Sequence, residues 1–224
     1  MLRLSLFLAA LLFPSAMLCG ASKDDVKLRV VCVSALPADT KVVLASRDKK
    51  GKWREDAEVE LRASSISSWL DAEGGAMQFA RREGQDLKPL CEFQFPAGSK
   101  RAVVALIADA EAGTYKAVVF DPAAAGFDKG TVMVINASAQ SASVALGSNE
   151  KTMDAGTEAV VKPALDGDGN YRSQVSSVSK DGAKVLCHDR QIQGDPQARE
   201  LMFLLSDKIL GIKVSTLPIF GSLE

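Results

Sequence analysis

Hydrophobic residues recur along this chain in short alternating or continuous runs, separated by clusters of Gly, Pro, Asp, Asn and Ser. Turn signals every ten residues or so, between short runs of this kind, are the pattern of strands in a β-sandwich. In Val26–Cys32 the alternation sets Val26, Leu28, Val30 and Cys32 on one face and Lys27 and Arg29 on the other. The same rhythm predicts strands near 26–34, 41–46, 56–62, 75–80, 90–95, 101–108 and 114–120. It predicts a second set near 131–137, 142–147, 157–162, 171–178, 183–189, 199–205 and 212–217. One stretch breaks the period. Ile66, Trp69 and Leu70 stand at helical spacing behind a serine able to cap, with Gly74 and Gly75 to stop them, so a short helix is expected near 64–72.

The two sets of strands read as one unit written twice. Val30-Val31-Cys32-Val33-Ser34-Ala35 meets Val132-Met133-Val134-Ile135-Asn136-Ala137 102 residues later, apolar position on apolar position. The same spacing carries Val42-Val43-Leu44-Ala45-Ser46 onto Val144-Ala145-Leu146-Gly147-Ser148. Near the end of each unit, Arg101-Ala102-Val103-Val104-Ala105-Leu106 falls on Arg199-Glu200-Leu201-Met202-Phe203-Leu204 at a spacing of 98, and Gly113 then falls on Gly211. A four-residue difference between the spacings is one loop's worth of change, so the blocks match in order across a whole unit. Seven strands in about 100 residues suit an immunoglobulin-like sandwich. The expected fold is all-β: two tandem immunoglobulin-like sandwiches set end to end, over 22–121 and 130–224, with 122–129 as linker.

A resemblance adds to this. The run Gly130 to Ser138, then Val144-Ala145-Leu146 and Asp154-Ala155-Gly156-Thr157, resembles the opening of uncharacterised exported bacterial immunoglobulin-like β-sandwich proteins. It covers about a quarter of the chain and carries no catalytic residue, so it implies a scaffold and an address outside the cytoplasm.

The first residues agree with that address. Arg3 is a cationic start, Leu4 to Phe13 an apolar core, Pro14 and Ser15 helix breakers, and Cys19-Gly20-Ala21 a small-residue cleavage site. Residues 1–21 are therefore expected to be a signal peptide, too short in its apolar run to cross the roughly 30 Å hydrocarbon core as a lasting helix. Lipidation of Cys19 is disfavoured by Leu18, which stands where a lipoprotein signal needs a small residue. The expected location is periplasmic, outer-surface or secreted, where disulfides persist. Cys32, Cys91 and Cys187 remain after cleavage. The alternation turns Cys32 and Cys91 inward in the same half, as either a Cys32–Cys91 bridge or two buried small hydrophobes.

Composition narrows the function. The 224 residues are 47% hydrophobic and 25% charged, a folded protein's balance, and a net charge of −1 leaves no cation surplus for nucleic acid. His188 is the one histidine, so neither a multi-histidine metal site nor a histidine pair for acid–base work is available. Cys187 precedes it, but neighbours on a regular strand point to opposite faces, which argues against a nucleophilic dyad. Asp166-Gly167-Asp168-Gly169-Asn170 opens like a calcium loop, yet Tyr171 and Ser177 stand where such a loop needs glycine and glutamate. A turn is the expected reading there. Asn136-Ala137-Ser138 is formally a glycosylation sequon at a predicted strand end. Among the aromatics, Trp69 is expected in the core, and Tyr115 and Tyr171 are too few to make a sugar platform. Trp53, in the charged stretch Asp48 to Glu55, is the candidate contact for a ligand. No cofactor and no metal is expected. The expected function is a non-catalytic structural or protein-interaction protein of the bacterial envelope. The alternative is a small glycan- or peptide-binding module using Trp53 or an exposed sheet edge.

Overall fold

The computed structural model describes residues 26–36, 41–123 and 126–219. The expected signal segment, residues 1–21, lies outside the described residues, as do Ala124 and Ala125 of the expected linker. The protein is all-β, with no helix among the described residues. The first half carries β1 (Val26–Cys32), β2 (Lys41–Arg47), β3 (Trp53–Glu60), β4 (Ser65–Ile66), β5 (Leu70–Ala72), β6 (Ala76–Glu83), β7 (Asp86–Gln94), β8 (Arg101–Asp109) and β9 (Thr114–Phe120). The second carries β10 (Val132–Asn136), β11 (Ser141–Leu146), β12 (Asn149–Met153), β13 (Glu158–Val161), β14 (Asn170–Val178), β15 (Lys184–Gln193), β16 (Arg199–Asp207) and β17 (Gly211–Ile219).

Both halves are wired alike. The first makes one sheet in the order β4-β1-β8-β9, with β5 also on β1, and another in the order β3-β2-β6-β7. The second repeats this as β13-β10-β16-β17 and β12-β11-β14-β15. In each, the opening strand runs parallel to the penultimate one, β1 to β8 and β10 to β16, while the other pairings are antiparallel. The closing hairpins match too. Asp109 Oδ1 accepts the N–H groups of Glu111 and Ala112, Asp207 Oδ1 those of Ile209 and Leu210, and Gly113 and Gly211 end the turns at φ of 64° and 75°. The parallel ladders set Val30 beside Val104 and Val134 beside Met202. The structural equivalence of β1 and β10 is thus shifted by two residues from the sequence match, a slip that leaves every side chain on the same face. The strand order shares with an immunoglobulin sandwich the pairing of second strand with fifth. It departs in placing the third and sixth on opposite edges of one sheet, where the immunoglobulin order sets them side by side.

The expected helix near 64–72 is replaced by β4 and β5. The outer edge of β1 needs partners for its backbone, and this segment supplies them: Ile66 lies opposite Val31, Leu70 opposite Leu28. Between them the Ser67 N–H donates to Val30 O, and Ser67 Oγ accepts from Val30 N at 2.9 Å. A helical turn would have left that edge unpaired.

Three cores hold the molecule together. One fills the first half around Leu28, Leu44, Phe79 and Phe93, whose rings stack with centroids 5.4 Å apart. A second fills the other half around Val134, Leu146, Tyr171 and Met202. The third lies between the halves, where Val31, Val103 and Phe120 meet Met133, Leu201 and Phe203. The halves are therefore not strung end to end; the β1 and β10 sheets pack face to face, giving four stacked sheets. This is why Ala102–Leu106 and Leu201–Leu204 are buried without a break: even-numbered residues enter their own half's core and odd-numbered ones the shared layer. Phe127, in the expected linker, is also buried in that layer. A junction filled in this way resembles a domain interior more than a hinge.

Candidate functional site

The expected site residues are scattered. Trp53 opens the edge strand β3, half-buried, with the Arg47 guanidinium over its ring at 4.8 Å. One candidate sugar-stacking face is thus taken by the chain's own cation. Trp69 packs on the shared layer, as expected of a core residue, and the guanidinium carbons of Arg29 and Arg101 stand 5.1 and 5.7 Å from its ring centre. Cys32 and Cys91 both border the first core but are free thiols, each pushed by burial up to about 11. Cys32 is buried in that core and Cys91 packs against it partly buried.

At Cys187 the alternation argument fails. The β14–β15 ladder passes from Val175 opposite His188 to Ser176 opposite Leu186, so Cys187 is the extra residue of a β-bulge. Cys187 packs on the second core, and His188 lies across from core residue Val175, so the bulge turns both the same way. They do not bond to each other: Cys187 Sγ donates back to Val185 O at 3.2 Å, and His188 Nε2 is buried without a partner. Burial, with Arg190 nearby, holds the imidazole below its ordinary pKa and so in the neutral form.

Two polar motifs prove architectural. Asp166 Oδ1 accepts the N–H groups of Asp168 at 3.0 Å and Asn170 at 2.8 Å, fixing the turn that leads into β14. That carboxylate is spent on backbone donors. Asn136 is fully buried: its amide donates to the carbonyls of Gln140 and Asp154, while its oxygen accepts from the Ser138 hydroxyl at 2.6 Å. The sequon side chain is a plug in the folded chain.

One cavity among the described residues was not among the expected sites. It opens at one end of the second sandwich, between the β10–β16 and β14–β15 sheets, with a volume of about 750 Å³. The elements that build it follow from sequence. Tyr171, one residue into β14, points inward beside Ile192 of β15. Glu200, one residue into β16, sits beside Val132 of β10 and shares the inward face of Met202. The Tyr171 hydroxyl donates to Glu200 Oε2 at 3.2 Å. Pro163, Leu165, Pro196 and Pro218 give apolar walls, and Lys129 and Lys162 stand at the polar rim. The loops are tightly seated. A Cβ on Gly147 would come within 2.1 Å of Ala164 O, and one on Gly194 within 2.6 Å of Leu165 Cδ2. Glycine at those positions lets both loops close down on the cavity wall.

Burial pushes the Glu200 carboxyl above its ordinary pKa, opposed in part by the Tyr171 hydrogen bond. Burial first, and then the Glu200 charge, lifts the Tyr171 phenol well above its own. At neutral pH the phenol is a fixed donor and the carboxyl a partly desolvated acceptor at the bottom of an apolar hollow. Such a pair can anchor one N–H or O–H of a ligand whose body rests on the walls. One signal in the sequence pointed here: the duplicated unit has alanine, Ala102, where this half has Glu200. Compared with known protein families and with curated proteins, the sequence matches no family model and no curated protein.

Proposed function

We propose that this chain is a non-catalytic interaction protein exported to the bacterial cell envelope, and that the Tyr171–Glu200 cavity is where a partner protein docks. The carrying observation is the cavity itself. One end of the second sandwich stays open between its two sheets and holds a hydrogen-bonded carboxyl between apolar walls, below a rim that carries Lys129 and Lys162. The export signal read at residues 1–21 and the resemblance to exported sandwich proteins support the address. The partner chemistry that fits is a segment offering one apolar side chain and one hydrogen-bond donor.

The test is a cavity plug. Thr216 is exposed at the mouth, so Thr216→Trp fills the opening without touching a core. Partners captured from envelope extract by wild type are expected to fall at least about tenfold with the plug, a loss of about 1.4 kcal/mol of binding. Equal capture by both proteins overturns the assignment of the cavity.

A further inference from the structure

The shared layer between the halves has two ends, and they differ. At one end the two closing hairpins come together, with Lys208 paired to Glu111. The other end opens as a cleft of about 480 Å³. Arg101, first residue of β8, and Arg199, first residue of β16, both line it. They are the same position of the duplicated unit. Register explains the convergence: each precedes a run whose odd-numbered members, Val103 and Ala105, Leu201 and Phe203, face the shared layer.

Neither guanidinium is ion-paired among the described residues. Arg199 Nε is buried without a hydrogen-bond partner, and Arg101 is exposed, with its guanidinium carbon 5.7 Å from the centre of the Trp69 ring. A buried donor left without a partner is costly, and structures keep few of them. The cleft also contains acids, but Asp121 is already engaged, accepting from Ser99 Oγ at 3.2 Å and from Ala123 N at 2.8 Å. Asp128 is exposed at the rim, and Lys100 adds a third cation to the lining. Arginine forks satisfy a group that presents several oxygens at once better than a single carbonyl does.

We propose that this cleft is an anion site in which Arg101 and Arg199, the duplicated arginines, together hold a phosphate group. The group is either free phosphate or the phosphodiester of an anionic lipid headgroup, and both present the same oxygens to the forks. The site lies on the opposite face of β16 from the Tyr171–Glu200 cavity, because Arg199 and Glu200 are consecutive on a strand, so the two stand or fall separately.

The experiment follows the side-chain Nε–H resonances of the arginines by NMR in full-length protein, at constant ionic strength, during titration with sodium phosphate and, in a second arm, with phosphatidylglycerol vesicles monitored by co-sedimentation. In wild type the Arg199 Nε–H signal shifts and saturates with phosphate, or the protein sediments with vesicles; the first outcome names free phosphate, the second the headgroup. Arg199→Gln weakens the response about tenfold and the Arg101→Gln/Arg199→Gln pair about a hundredfold, while Arg199→Lys, which keeps charge but not the fork, falls between. Should Arg199→Gln fail to fold, Arg101→Gln and the wild-type Arg199 resonance decide the matter. No shift and no sedimentation in wild type, or equal affinity in wild type and the double variant, overturns the site.

Discussion

The two halves share a wiring diagram and differ in how they fill it. The parallel ladders align Ala102 with Glu200 and Cys32 with Asn136. In the first half both positions are small, buried and apolar, and the core closes over stacked phenylalanines. In the second, one is a carboxyl under a cavity and the other an amide knotted into its own loop. One strand order thus carries apolar packing in the first half and polar side chains at both ends of the same pair of strands in the second. Backbone pairing fixes the frame, while a few side chains decide whether a sandwich end is shut or open.

Exchanging residues between the copies tests that contrast most severely. Ala102→Glu places a carboxyl in a fully closed core with no tyrosine to receive it, and is expected to cost about 4 kcal/mol or more, seen as a large drop in the urea midpoint. A loss below about 1 kcal/mol would show that the first half is open after all. Next in size, Asn136→Ala strips the partners from several buried groups and is expected to cost about 2–4 kcal/mol by urea unfolding, more than Cys32→Ala at the aligned position. Equal losses at the two sites would erase the difference drawn between amide and thiol.

The smallest effect carries a pH signature. Because burial raises the Glu200 pKa above its ordinary 4.5, the folded state holds that proton more tightly than the unfolded one. Its contribution is therefore favourable in acid and is lost as pH climbs from 4.5 through the raised value. Glu200→Gln removes the charged form's penalty, so it is expected to stabilise the protein by about 0.5–1 kcal/mol at neutral pH. The gain shrinks towards nothing below the ordinary pKa, which thermal melts at a series of pH values would follow. A gain that persists unchanged in acid would mean that burial of the carboxylate is not its source.

How much of this the sequence disclosed varies from element to element. Strands with one polar face, such as Val26–Cys32, announce themselves by alternation, and the matched arginine-led runs at 101 and 199 mark where the duplicated ladders lie. Asn149–Met153 went unseen because an edge strand exposed on almost every residue, Asn-Glu-Lys-Thr-Met, has no apolar period to read. Ile66, Trp69 and Leu70 imitated a helix because two short strands with a bend between them also place apolar residues at irregular spacing. The unbroken apolar run Ala102–Leu106 contained the news that its sheet is covered twice, but a run alone does not say by what. Tyr171 is only one of two tyrosines in the sequence, while Trp53 stands out by the charges around it. A pocket is a relation between distant strands, and neither residue's neighbours along the chain could reveal it.

The layer shared by the halves also imposes an order in time. A chain that is synthesised amino end first completes the five-stranded β1 sheet and the four-stranded β2 sheet while Val31, Val103 and Phe120 still lack the surface that will cover them. Until Met133, Leu201 and Phe203 arrive, that wall is an adhesive face. Copies that meet during this interval compete with the chain's own second half for that wall, the situation in which transiently exposed apolar surface drives misassembly.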